Sequence, residues 1–495
     1  MKNILRVAVL LLLVMSMLLT VVSCKKDAPP AESEEIVTLE DGKVLPFPKT
    51  NYKEEISIYY IDWGLYQDFF FAKEENQGTD MDKALAERAD AVYYYLGITV
   101  NGFTGSSGGL QYGAEIANQV HAGTDIHQAV LTHCSEGLTK LIGDGCLLDF
   151  NDFDQISLDA EYWDSELMKS MEVQGNAYLG SNEFLLKDPN VIFFNKDVLA
   201  DYEQLENPYK LVDDKKWTLD KMLQMAAQID VQTEGTDHSA MTYGLVGEAN
   251  WQAVAFADAA DCNWLIDDGG YMTLNMSAAN ARYLDVFETL AEAADQNWYG
   301  LYFKGRTENE LTMNTVKTLF SYESLQQAYK YRAKTQVGST GGDSEVKFGI
   351  LPYPKYDVDQ TDYHSMNWSG FVVVPRTVKD TESVKKLEIT QKALEALAFF
   401  SADTTVPAYY EKLLGTRLSD APDDRRMLDI IFDGIVANRI FPYAKPGEGG
   451  LYNLFYGITN MLYAKLMKQS SVPTVGGLWQ SWGGAGQNEL DEYLA

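Results

Sequence analysis

Ile56-Ser57-Ile58-Tyr59-Tyr60-Ile61 alternates and then runs apolar, which predicts a buried strand that Asp62-Trp63-Gly64 brings to an end. Downstream, Met81, Leu85, Ala89, Val92 and Leu96 recur at helical spacing, marking one face of a helix that starts near Thr79. Gly97 stops that helix and Ile98-Thr99-Val100 opens a second strand. A Gly-rich loop follows, then a helix carrying Ile116 and Val120, then Gly123 and a strand at about 125–131. This β-α-β-α-β order predicts an α/β fold with a mostly parallel sheet flanked by helices.

Further along, Trp217-Thr218-Leu219-Asp220-Lys221 reads as a helix start. Thr218 can cap it, Asp220 suits the positive helix end, and Leu219, Met222, Leu223 and Ile229 form its buried stripe. The last third is mainly helical: Leu387, Leu394, Leu397 and Ala398 share one helix. Met427, Ile430, Ile431 and Ile435 mark another, and Leu454, Ile458, Met461 and Leu462 a third. No internal repeat is visible, which argues against solenoids and propellers. At 495 residues the chain exceeds a single ordinary core, so two or more lobes are expected. With 40 basic and 72 acidic side chains the net charge is −32, and a chain so acidic repels a phosphate backbone; nucleic acid is excluded as a partner.

The N-terminus reads as an address. Lys2 and Arg6 precede an apolar run over residues 7–19, broken only by Ser16, and Val22-Ser23-Cys24 follows. The run is short for a membrane span, which needs roughly 20 residues, but suits a secretory signal. A small residue directly before Cys24 looks like a bacterial lipobox, with residues 1–23 removed and Cys24 lipid-modified. Losing Lys2 and Arg6 would take the charge to −34, so the anchor rather than the body would hold the membrane. Residues 24–52, with Pro29, Pro30, Pro46, Pro48 and Glu32, Glu34, Glu35, read as a solvated linker. Cys134, Cys146 and Cys262 are odd in number and read as buried thiols, with no zinc-type spacing.

Several constellations suggest chemistry. Gly105-Ser106-Ser107-Gly108-Gly109 fits the G-x-S-x-G nucleophile elbow, which makes an exported serine hydrolase using Ser107 a rival reading. Gly/Ser loops match that pattern often, and neither His238 nor His364 has the context of a triad partner. His121, His127 and His133 are evenly spaced, but their segment passes from helix through Gly123 into strand and does not force the imidazoles together. Asp149-Phe-Asn151-Asp152-Phe-Asp154 resembles half a calcium loop without its glycine and terminal glutamate, and reads as a solvated turn. No GxxxxGK[ST] loop occurs. In open α/β sheets ligands gather beyond the strands' carboxyl ends. There stand Trp63 and Tyr66 after the first strand, and His133 and Ser135 after the third; flat aromatic faces suit sugar rings, though Trp63 could equally be core.

Taken in order, a set of short motifs resembles the bacterial extracellular solute-binding proteins (family 1) of carbohydrate ABC transporters. They are the lipobox, Leu96-Gly97-Ile98-Thr99-Val100, Val191-Ile-Phe-Phe-Asn195-Lys196-Asp197 and Trp217-Thr218-Leu219-Asp220. Phe348-Gly349-Ile-Leu-Pro352-Tyr-Pro354-Lys355, Asn367-Trp368-Ser369-Gly370-Phe371 and Ala393-Leu394-Glu395-Ala396-Leu397-Ala398-Phe399-Phe400-Ser401 complete the series. The resemblance covers roughly residues 53–465 and fades from Lys468, leaving Trp479 and Trp482 unplaced.

That resemblance implies a two-lobed periplasmic-binding-protein-like fold with three hinge crossings, expected near 179–183, 315–318 and 368–372. Lobe 1 would combine 53–180 with 318–370, and lobe 2 would combine 181–317 with 371–495. It implies a carbohydrate ligand, ABC permease subunits as partners, no cofactor, no metal, and a monomer anchored at the outer face of the membrane. Its ligand-binding residues would be Trp63, Tyr66, His133, Ser135, Asn182 and Glu183, joined by Trp251, Trp264, Tyr322, Glu323, Trp368 and Tyr443. A different surface glycan-binding lipoprotein, built from helical repeats, is a second rival, against which the early β-α-β order argues.

Overall fold

The structure is a computed structural model. It describes residues 37–61, 67–72, 78–105, 112–231, 242–249, 251–262, 265–268, 271–275, 281–303, 310–332, 346–381, 384–414, 422–444, 449–469, 471 and 474–495. The chain divides into two units, Met1–Asn51 and Tyr52–Ala495. Within the first, Thr38 and Val44 pair across a tight turn where Gly42 takes a φ of 89°.

Three strands come first: β1 (Glu54–Tyr60), β2 (Ile98–Thr104) and β3 (Ala129–Leu131). β1 runs parallel to both of the others, with Glu54 opposite Ile98 and Ile58 opposite Ala129. The helix Asp80–Leu96 between β1 and β2 is set by its ends. Thr79 Oγ1 accepts from the Asp82 N–H at 3.1 Å, and Asp82 Oδ2 accepts from the Thr79 N–H at 3.0 Å. At the other end Gly97, with φ 65°, donates its N–H to the Tyr93 carbonyl at 2.7 Å. The buried face holds Met81, Leu85, Val92 and Leu96 as expected, but Ala89 is exposed and its neighbour Arg88 is buried.

The chain then builds a second sheet. β4 (Asn190–Asn195), β5 (Thr242–Glu248), β6 (Leu265–Asp268), β7 (Tyr271–Leu274), β8 (Tyr299–Tyr302), β9 (Lys317–Ser324) and β10 (Phe348–Leu351) follow in sequence. Five of these form a mixed sheet in the order β10-β4-β9-β5-β8, and β6 and β7 make a separate antiparallel ribbon. Val191, Ile192, Phe193 and Phe194 are buried whichever face they point to, so β4 is covered on both sides. β11 (Ser365–Met366), β12 (Val372–Val373) and β13 (Ile435–Val436) are short; β12 returns to the first sheet, antiparallel to β3, giving the order β12-β3-β1-β2.

Two of the three expected crossings are where the sequence put them. Gly180 pairs with Val372 and Pro189 with Asn367, so residues 180–189 and 367–372 run antiparallel between the sheets. The expectation at 315–318 is corrected: β9 is a central strand of the second sheet, flanked by β4 and β5. The remaining passage is helical. The helix Lys386–Asp403 packs on Asp80–Leu96, Thr405–Leu414 touches both Asp80–Leu96 and Gln327–Arg332, and Pro422–Asp433 lies against β10. The lobe partition is corrected with it, since 317–324 and 348–351 pair in the second sheet whereas 372–373 pairs in the first.

The C-terminal stretch forms two helices, Gly449–Leu466 and Val475–Leu494, packed on each other, the second also on β7. They approach so closely that a Cβ on Gly450 would lie 2.2 Å from the Gly486 nitrogen. Trp479 sets its ring edge-on to Tyr283 at 6.1 Å.

Candidate functional site

The crossing segments carry a dense set of buried polar side chains. Asp188 is the knot: its N–H is offered to Asn367 Oδ1 at 3.0 Å and Ser369 Oγ at 2.9 Å, and its Oδ1 accepts from the Gln326 N–H at 2.7 Å. Ser369 Oγ in turn donates to the Leu186 carbonyl at 2.7 Å, and the Trp368 N–H donates to the Asp188 carbonyl at 3.0 Å. Leu186 is held at φ 51°, a left-handed conformation costly for a branched residue, and this bonding holds it there.

Asn182 and Glu183 lie on the first crossing. Asn182 is fully buried; its Oδ1 caps the short turn Glu183–Leu185 by accepting from the Phe184 N–H at 3.1 Å, while its Nδ2 makes no hydrogen bond among the described residues. A buried amide donor left unmade costs about 1–3 kcal/mol, so its retention is informative. Glu183 is half-buried, and loss of solvent raises its carboxyl above the ordinary range; nearby Lys187 opposes this and Asp164 adds to it. Lys187 itself bridges to Asp164 at 2.9 Å.

His133 and Ser135 follow β3. His133 Nδ1 accepts from the backbone N–H groups of Ser135 at 3.2 Å and Glu136 at 3.1 Å, so the imidazole acts as a loop organiser. Burial lowers its pKa to about 4, keeping it neutral, and raises that of Glu136 to about 7. This loop abuts the third crossing, for the Thr132 N–H donates to the Phe371 carbonyl at 2.8 Å. A Cβ on Gly370 would fall 1.5 Å from the Thr132 oxygen, so only glycine allows that approach.

His133, Ser135, Asn182, Glu183 and Trp368 therefore lie on or beside the crossings. Tyr322 and Glu323 instead sit inside the second lobe. Tyr322 is fully buried, its hydroxyl 2.9 Å from that of Tyr299 and donating to the Glu248 carbonyl at 3.2 Å, its ring edge-on to Phe256. Glu323 accepts from the Tyr302 hydroxyl at 3.1 Å. Tyr443 is buried against Tyr493 of the last helix, their rings 5.3 Å apart. Trp63, Tyr66, Trp264, Ser107 and Cys24, and the side chain of Trp251, lie outside the described residues. Asp188, Asn367 and Ser369 were missed by sequence reasoning; the polar pair flanking Trp368 was their only signal.

The three evenly spaced histidines do not converge: His127 Nδ1 meets Ser57 Oγ at 2.7 Å, while His133 is tied into its own loop. His121 instead falls beside Asp144 and Cys146, with their ligand-type atoms within 4.8 Å of one another, although Lys140 already holds Asp144 at 2.7 Å. Cys134, Cys146 and Cys262 are buried free thiols.

No protein-family model and no curated protein matches the sequence. Solved structures do. The GacH receptor of Streptomyces glaucescens, studied unliganded and with acarbose, is 14% identical with a TM-score of 0.54, covering 89% of this chain and 99% of that one. The galacto-N-biose/lacto-N-biose I-binding protein of an ABC transporter from Bifidobacterium longum is 12% identical with a TM-score of 0.54, over 89% and 97%. An ABC substrate-binding protein from Listeria monocytogenes in complex with cycloalternan is 13% identical with a TM-score of 0.52, over 89% and 98%. With two sheets joined by paired crossings and this likeness along most of its length, the chain has the two-lobed fold of ABC-transporter solute-binding proteins.

Proposed function

We propose that this chain is a non-catalytic receptor for a sugar or oligosaccharide. Held outside the cell membrane by lipid on Cys24, it would work as a monomer and pass its ligand to the permease of an ABC importer. The carrying observation is the unmade Nδ2 donor of Asn182, fully buried on a crossing segment beside the half-buried carboxyl of Glu183. A crossing segment belongs to both lobes, and an amide next to a carboxylate offers donors and acceptors in the pattern that sugar hydroxyls require. Hinge closure over the solute then follows from the fold. Trp63, Tyr66, Trp251 and Trp264 are proposed to add stacking faces, with His133, Ser135 and Trp368 shaping the floor.

The likeness to receptors whose complexes contain acarbose, lacto-N-biose and cycloalternan supports this reading and suggests the panel with which to test it. Thermal-shift assays with acarbose, lacto-N-biose, maltotriose and mannobiose are expected to yield at least one stabilising saccharide; a ligand at 100 times its Kd adds about 2.7 kcal/mol. Calorimetry with that saccharide is expected to show Glu183→Ala weakened by about 1.5–3 kcal/mol, as for bonds to a charged group. Full affinity in that variant removes Glu183 from the site. Absence of stabilisation by any saccharide, with turnover of an ester and labelling of Ser107 by a fluorophosphonate, overturns the receptor reading in favour of a hydrolase.

A further inference from the structure

Arg88 is out of place by every ordinary rule. It projects from the middle of the helix Asp80–Leu96, is 2% exposed, and among the described residues no carboxylate faces it. Its contacts are neutral. Nη1 donates to Ser401 Oγ at 3.1 Å and Thr405 Oγ1 at 3.3 Å, and Nη2 donates to the Phe70 carbonyl. The guanidinium carbon also sits 4.8 Å from the centre of the Phe184 ring. Three of its five N–H donors are thereby engaged, leaving Nε–H and one Nη2 hydrogen, the pair that meets a carboxylate through two bonds.

Beside this guanidinium lies a cavity of about 360 Å³, within the span of about 300–1,000 Å³ typical of small-molecule sites. It is walled by Tyr60, Phe70, Phe71 and Asn101 together with Arg88, and Ala89 stands exposed on its rim. Tyr60 and Phe71 approach with ring centres 5.1 Å apart, and Tyr60 and Phe70 with centres 6.3 Å apart, so one side is a continuous aromatic surface. Burying an unpaired cation is expensive, and a well-packed apolar residue would serve the helix better if packing were its only task. Loss of solvent with no counter-charge lowers the Arg88 pKa to about 9, which still leaves it charged at neutral pH.

We infer that this cavity is a second ligand site, whose lining holds no crossing residue although Phe184 of the first crossing packs on Arg88, and that it takes a small monocarboxylate with an aromatic or apolar body. The carboxylate would pair with Arg88 and the body would lie against Tyr60, Phe70 and Phe71. Asn101, on β2, is also in the lining; its Nδ2 already donates to Glu55 Oε2 at 3.4 Å, which leaves its Oδ1 to accept from a further polar atom of the ligand.

The test uses full-length protein and two probes, 3-phenylpropionate and its uncharged amide, titrated by calorimetry at millimolar concentration. One-to-one saturable binding of the acid is expected, at least tenfold tighter than the amide. Arg88→Gln is expected to weaken the acid at least tenfold and to leave the amide unchanged. Circular dichroism checks its fold; if Arg88→Gln does not fold, Ala89→Trp decides, since it fills the rim from an exposed position and leaves every Arg88 bond in place. Loss of acid binding in Ala89→Trp supports the site. Equal binding of acid and amide, no binding of either, or undiminished binding in Ala89→Trp overturns it.

Discussion

Single buried charges show how far contacts decide a residue's value. Glu395 is 1% exposed, yet both its oxygens are satisfied: Tyr162 donates its hydroxyl at 2.7 Å and Trp163 its Nε1–H at 2.8 Å. Glu395→Gln turns one of these acceptors into a donor facing a donor, and a loss of about 1.5–3 kcal/mol is expected in urea unfolding. An unchanged midpoint would show that those two bonds add nothing. Asp258 is the opposite case. Burial raises its carboxyl to about 7, only partly offset by the Asn438 amide, which donates to Oδ1 at 3.1 Å and Oδ2 at 3.2 Å. The unfolded carboxyl gives up its proton near pH 4 and the folded one near 7, so the folded state binds more protons across that window and stability falls as pH rises through it. Asp258→Asn is expected to flatten the fall in Tm between pH 4 and 7; an identical slope in both proteins would exclude Asp258 as its source. Residues of this kind are hard to read from sequence. Apolar periodicity placed Ala89 inward and said nothing of Arg88, because the spacing counts methyl groups and not the acceptors that Ser401, Thr405 and the Phe70 carbonyl bring from elsewhere in the chain.

Elements were most legible where their ends carry local chemistry. Thr79 and Thr218 announce their helices because each cap needs only the next three residues; Thr218 Oγ1 accepts from the Lys221 N–H at 3.2 Å. Thr79→Ala is expected to cost about 0.5–2 kcal/mol, read as a lowered Tm with ligand affinity intact. Gly370→Ala is expected to cost far more, since its methyl group would overlap the Thr132 carbonyl and force β12 away from β3. A Tm within error of the parent would show that the two segments do not meet as closely as described. Less legible were elements defined by distant partners. β12 is two residues long and is a strand only because distant segments, β3 and Gly180, lie beside it. The helix Val475–Leu494 holds Gly476, Gly477, Gly483, Gly484 and Gly486, a composition that hides a helix from propensity but suits one pressed against Gly450.

At the scale of the whole molecule, the order of strands and helices along the chain was readable, and their allocation to lobes was not. The apolar runs 318–322 and 348–351 predict strands equally well in either sheet; only pairing with β4 decides. For a molecule with two sheets joined by paired crossings, binding of a saccharide from the panel is expected to reduce the radius of gyration. Small-angle scattering at saturating ligand checks this, and an unchanged radius argues against closure. The late arrival of β12 has a consequence for biosynthesis. β1, β2 and β3 leave the ribosome early, but the strand that covers the β3 edge is made only after all five strands of the other sheet. Vectorial synthesis thus leaves the first sheet incomplete while the whole of the other sheet is made, and the open β3 edge must stay soluble until Val373 has emerged.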